Sequence, residues 1–290
     1  MMQQMLAGMG GSSGVATSNE YLYLPLNESS SSRTKFGNYA SSLTLNSGGG
    51  VTTSDHPYSI TDSTYNSGNS HSHFCNGQST TCYFNGNTIL GSIGTGDIGC
   101  DFYYKWTSEG NGGGSYGYVG DHAGASLYAG SRSGLDFDNQ FMVGAIAGDV
   151  KARYRYGGTN EDFNSSLTTN GSGMNVWYHV LIIRKDNKWW SFVDGVLDGY
   201  FAEPSARNIA NGGGFHFGTI DRSGHWWECR ISDFMWQKGS DAFYSIDSSI
   251  NSGNIGTTYF TKPQYKNKKM AIPSNSSFTI VKAPAGFTTE

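Results

Sequence analysis

Three groups of residues in this chain have the types and spacing to do chemistry. His71, His73, Cys75 and Cys82 bring imidazoles and thiols close together in sequence, and both are zinc ligands. Their spacing fits no standard zinc pattern, so a flexible Ser/Asn/His loop is the simpler expectation there. Asp136, Asp138 and Asn139 present closely spaced oxygens, the donor type that a hard cation such as calcium takes. Asp97 and Asp121 are further oxygen donors. The third group is aromatic. Trp189–Trp190 and Trp226–Trp227 are adjacent pairs, and on a strand neighbouring side chains point to opposite faces. Trp190 and Trp227 are therefore candidates for an outer surface. Tyr116, Tyr118 and His122 stand at the C-terminal end of the Gly-rich loop 108–117 and could extend the same platform, on which the apolar face of a sugar would stack. The alternative is that these aromatics are covered by loops or by a neighbouring chain.

Other chemistries lack their residues. There is no Gly-x-Ser-x-Gly, and Gly112–Gly114 has neither the lysine nor the following helix of a phosphate loop. Charged residues make up 14% of the 290, against roughly 25% in an ordinary soluble domain. The net charge of −4 gives no basic footprint for nucleic acid. No apolar run is long enough to span a membrane as a helix. The 41 glycines and 14% aromatics, with abundant Ser, Thr and Asn, point to an all-β protein with an exposed surface role. The start, MMQQMLAGMGGSSG, has no basic n-region and too short an apolar run for a signal peptide. A surface role without a visible export signal fits a virion protein. A removed leader or a fragment boundary would explain it equally.

The elements follow from alternation and turn residues. YLYLPL at 21–26 reads as a strand stopped by proline. Residues 27–82 read as a loop-rich insertion with short strands. Strands are expected at 83–90, 98–106, 214–219 and 229–237. The clearest segment is 176–201, where VWYHVLIIRK and KWWSFV are joined by Asp186–Asn187, and a third strand follows Asp194–Gly195. Trp177, His179, Leu181 and Ile183 share one face, which predicts Trp177 as a core anchor and His179 as a core histidine. Cys100 reads as a core thiol, while Cys75 and Cys82 could pair or stay free. No long amphipathic helix is visible. The fold class is all-β, an antiparallel two-sheet β-sandwich with long loops and extended terminal arms. Residues 1–18, rich in Met and Gly, read as an arm that docks to another chain, with packing on its own domain as the alternative. Residues 19–262 read as the sandwich, and 263–290 as a C-terminal tail. The lysines 262, 266, 268 and 269 are expected to be solvated, or to meet an acidic partner surface.

The order of segments resembles the concanavalin A-like, laminin-G-like jelly roll. Tyr23-Leu24-Pro25-Leu26 matches its opening strand, and Phe84-Asn85-Gly86-Asn87-Thr88-Ile89 its Phe-x-Gly element. Gly94-Thr95-Gly96-Asp97-Ile98 running to Trp106 matches the next strand. Trp177, His179 and Val180 with Phe192-Val193-Asp194-Gly195, and Ile231-Ser232-Asp233-Phe234 with Lys238-Gly239, complete the pattern. The departures are the 27–82 insertion, Ile98 in place of Phe, and the tail. Members that hydrolyse glycans carry a Glu-x-Asp-x-x-Glu or similar strand, which is absent here, and Glu228 has no carboxylate partner two or four positions away. The resemblance therefore implies a non-enzymatic protein. Its implied role is a structural or adhesive virion protein of a tailed bacteriophage: a tail fibre, head fibre or capsid decoration. The arm would meet other virion proteins, the chain would form a homo-oligomer, and the sandwich would contact host surface glycans. The alternative is a secreted, lectin-like carbohydrate-binding module; a glycan hydrolase is less favoured. No cofactor is expected apart from calcium.

Overall fold

The computed structural model describes residues 14–15, 21–26, 37, 44–47, 50–53, 55, 57, 71–76, 82–85, 95–108, 126–130, 140–146, 149–156, 159–162, 175–206, 215–217, 228–238, 244–262, 269–280, 282–283 and 288–289. Among these residues the structure is almost wholly β, with one 3-10 turn at Ser252–Asn254 and no α-helix. Two large antiparallel sheets dominate, as expected of a β-sandwich. One runs Val196–Ala202, Lys188–Val193, Trp177–Lys185, Ile98–Ser108, Glu228–Lys238, His71–Asn76, Gly50–Thr53, and Tyr21–Leu24 pairs with the far half of Glu228–Lys238. The other runs Thr159–Asp162, Asp149–Tyr156, Gln140–Ile146, Ser126–Gly130, Phe215–Phe217, Cys82–Asn85, Thr44–Ser47.

The meander is set by its turns. Asp186 and Asn187 (φ 49° and 60°) and Asp194 and Gly195 (φ 51° and 87°) are all left-handed. Two such residues in a row make the type I′ turn whose twist matches the flanking strands. Asp and Asn tolerate that conformation better than branched residues, and glycine adopts it without penalty.

The eight-stranded sheet is covered on both faces. One face carries Tyr23, Leu181, Ile183, Trp190, Phe192 and Met235, which form one apolar cluster with Tyr244, Ile246, Ile250, Tyr259, Phe260, Met270, Ala271 and Phe278. The opposite face is buried too, through Leu22, Leu24, Cys100, Phe102, Val180, Ile182 and Trp236. Burial on both sides explains why residues 179–184 are buried without a break. Cys100 is fully buried, the core position expected of it.

Residues 270–280, expected within a trailing tail, are folded into this core. Phe278–Ile280 pairs with Tyr244–Ile246, and Ile272–Pro273 pairs with Phe260–Thr261. The apolar side chains of Met270, Ala271 and Phe278 have a sheet face to bury, which a solvated tail would waste. The lysines 266 and 268 lie outside the described residues. Of the expected docking arm, only Gly14–Val15 is described, and it pairs in parallel with Lys282–Ala283. The expected loop around His71 and Cys75 is instead the strand His71–Asn76, and Cys82 lies in the other large sheet. Of the strand expected at 83–90, Cys82–Asn85 is described.

Candidate functional site

The covered face of the eight-stranded sheet changes character along its strands. In the middle, cross-strand register sets His179 opposite Tyr103 and Leu181 opposite Asp101. His179 Nε2 lies 2.7 Å from Asp101 Oδ1, with both side chains sealed from solvent. Tyr244 donates its hydroxyl to Asp101 Oδ2 at 3.0 Å and accepts from the backbone N–H of Ala271 at 3.2 Å. Burial, then the charge of Asp101, pushes the Tyr244 phenol well above its ordinary value. It therefore stays protonated and remains a donor. The His179 ring lies 5.0 Å from Tyr103 and meets the Phe260 edge at 5.6 Å. Such a His–Asp pair could serve acid–base chemistry, but no solvent reaches it. Its role is to tie the C-terminal segment to the sheet, in line with the core histidine expected from sequence.

One step further along, the same face opens. Trp177 is opposite Lys105, Lys105 opposite Arg230, and Arg230 opposite Phe74, so four adjacent strands present one row. Opposed residues of antiparallel strands share a face, which makes this row contiguous. Asp55 draws it together. Its carboxylate accepts from Lys105 Nζ at 3.1 Å and from Trp177 Nε1 at 3.0 Å, and it pairs with Arg230 Nε. The Arg230 guanidinium lies over the Phe74 ring at 4.5 Å. Lys105, Arg230 and Asp55 keep 15%, 18% and 25% of their side chains exposed, and Trp177 and Phe74 are half-buried. Among the described residues, two cations against one carboxylate leave a positive balance beside two aromatic rings. That combination suits a ligand with an apolar face and an anionic group.

Trp177 occupies the expected strand face but not the expected depth. It stands at the start of its strand and is only partly buried. Trp177→Ala should therefore cost about 1–2 kcal/mol in urea unfolding, below the ~3–5 of a fully buried indole. A loss of 4 kcal/mol would place the residue in the core after all.

The residues singled out from sequence fall as follows. Trp190 is fully buried in the apolar cluster, its indole N–H donating to the Ile250 carbonyl at 3.2 Å. Trp189 is equally buried on the other face, donating to Glu203 beneath the Arg184 guanidinium. Adjacent tryptophans do point to opposite faces, but both faces are covered here, so neither reaches solvent. Asp97 accepts from the Asp186 backbone N–H at 3.4 Å, and partial burial raises its carboxyl above the ordinary value. Trp227, Tyr116, Tyr118, His122, Asp121, Asp136, Asp138 and Asn139 lie outside the described residues. Among the described residues, no three His, Cys, Asp or Glu side chains converge as a metal site would need. Lys105, Arg230, Phe74 and Asp55 escape sequence reasoning, because only the register between distant strands brings them together.

No family model and no curated protein matches this chain. Solved structures do match its fold. The binding domain of Paraclostridial Mosquitocidal Protein 1 superposes with a TM-score of 0.53 at 13% identity, over 76% of this chain and 49% of that one. The likeness is one of fold. The botulinum neurotoxin serotype G binding domain matches at TM-score 0.48 and 12% identity, over 75% of this chain and 47% of that one. The Ruminococcus gnavus IT-sialidase CBM40, solved with alpha2,6 sialyllactose, matches at TM-score 0.38 and 17% identity, over 50% and 78%. The chain thus spans about half the length of the two toxin domains. These neighbours are β-sandwich binding domains, not phage proteins.

Proposed function

We propose that this chain is a carbohydrate-binding β-sandwich that takes glycans carrying a carboxylate or sulfate group. The observation that carries the reading is the partly exposed row Trp177, Lys105, Arg230 and Phe74 on an otherwise buried sheet face. The indole offers a flat apolar surface for a sugar ring. Arg230 and Lys105 offer charge-assisted donors for the anion, with Asp55 holding them in place until the ligand shares them. The fold shared with a toxin binding domain supports a recognition role. An extracellular setting, on a particle or secreted, belongs to this proposal.

The test is a glycan array probed with the intact chain, followed by titration of the best acidic glycan. Binding of carboxylated or sulfated glycans over neutral analogues is expected. Arg230→Ala should weaken it at least tenfold, about 1.4 kcal/mol or more. It should also flatten its dependence on salt. An array without acidic-glycan binding, or full affinity in Arg230→Ala, would overturn the reading.

A further inference from the structure

We infer that Cys75 and Cys229 form a cross-strand disulfide under oxidising conditions. The two stand directly opposite in the antiparallel pairing of His71–Asn76 with Glu228–Lys238. Opposed residues in such a ladder have Cα atoms about 4.5–5.5 Å apart. Disulfides span Cα separations of ~4.4–6.8 Å, so the backbone is already placed for the bond. The competing partner suggested by sequence, Cys82, belongs to the other large sheet and pairs there with Ser47 and Phe217. Cys100 is buried in the neighbouring strand, opposite Ile182 and Trp236.

The chemistry needs a two-electron oxidant, and a low-molecular-weight disulfide such as glutathione disulfide supplies it. One protein thiolate attacks a glutathione sulfur and expels a glutathione thiolate. The second protein thiolate then attacks the mixed disulfide, forming the protein S–S bond and expelling the second glutathione. The two protein thiols are oxidised, the one glutathione disulfide is reduced, and the two protons pass to the released thiols. The bond would staple the strand carrying Phe74 to the strand carrying Arg230, one residue from each. It would close a long loop of chain and suit an oxidising compartment. The inference stands on strand register and does not depend on the glycan reading.

The intact chain is equilibrated with a glutathione redox buffer, alkylated, digested without reduction and analysed by mass spectrometry. A peptide containing Cys75 linked to one containing Cys229 is expected, and it should disappear on reduction. Reduction should also lower the melting temperature of the wild type by about 5–10 °C but leave Cys229→Ser unchanged. Recovery of both cysteines as alkylated thiols would overturn the inference. So would a link from Cys75 to Cys82. Because the peptide map uses the wild type, a poorly folding variant does not affect it.

Discussion

Glu203→Ala is expected to lose about 3–5 kcal/mol of folding stability, the typical cost of stranding one member of a buried ion pair. Glu203 pairs with Arg184 at 2.9 Å, with side-chain exposures of 0% and 1%. The same carboxylate accepts the indole N–H of Trp189. Arg184 has other contacts, among them a 3.3 Å bond to the Gly96 carbonyl and the Trp189 ring at 5.3 Å, and its charge also acts on Asp97. Removing the carboxylate takes from the buried guanidinium the counter-charge that stands 2.9 Å away. Replacing both, as Arg184→Met with Glu203→Leu, should restore more than half of the loss, because two apolar side chains avoid the desolvation that the pair incurs. Urea unfolding reads both. A loss under 1 kcal/mol in Glu203→Ala would mean that water reaches Arg184.

Gly195→Ala should be comparably damaging, by more than about 3 kcal/mol, from left-handed backbone strain together with overpacking. Gly195 has φ +87°, and an added Cβ would stand 2.0 Å from the Phe260 carbonyl oxygen. That oxygen is backbone and cannot swing aside. The Gly195 carbonyl also accepts from the N–H of Tyr259 at 2.8 Å, and Leu197 exchanges bonds with Thr257 and Gly256. The substitution would therefore push off the segment that carries Phe260, which packs on His179, Phe192 and Phe278. Gly256→Ala is the control. Gly256 has a similar φ of +92° but nothing within 4 Å, so only the backbone strain of about 1 kcal/mol should appear. Equal losses in the two variants would contradict the close approach at Phe260.

Much of the meander was legible because its signals are local. Asp186–Asn187 and Asp194–Gly195 sit between alternating runs, and residues of that type fix a two-residue turn without tertiary help. His179 was legible as a core histidine because its strand face is apolar. Depth was not legible. Trp177 shares that face, yet the cover on that face comes from residues such as Tyr244, Phe260 and Phe278, which lie far along the chain. The Trp189–Trp190 pair misled for a related reason. Alternation tells which faces two neighbours take, not whether another layer covers each face. The Trp177, Lys105, Arg230 and Phe74 row carries no local signal at all. It exists only through the registers of four strands, two of them joined with a bulge between Ser232 and Met235. Asp55 sits in a stretch with no periodicity and gains its meaning from the cations it meets.

The central claim is that an acidic glycan lands on this row. The most direct measurement is an amide and indole NMR titration of the intact chain with the best acidic glycan from the array. The chain has seven tryptophans, and Trp177→Phe would assign the Trp177 indole signal. That signal, whose N–H now bonds to Asp55, should shift progressively with ligand. The indoles of the buried Trp189, Trp190 and Trp236 should stay in place. Saturable glycan binding with an unmoved Trp177 indole would put the site elsewhere and contradict the account.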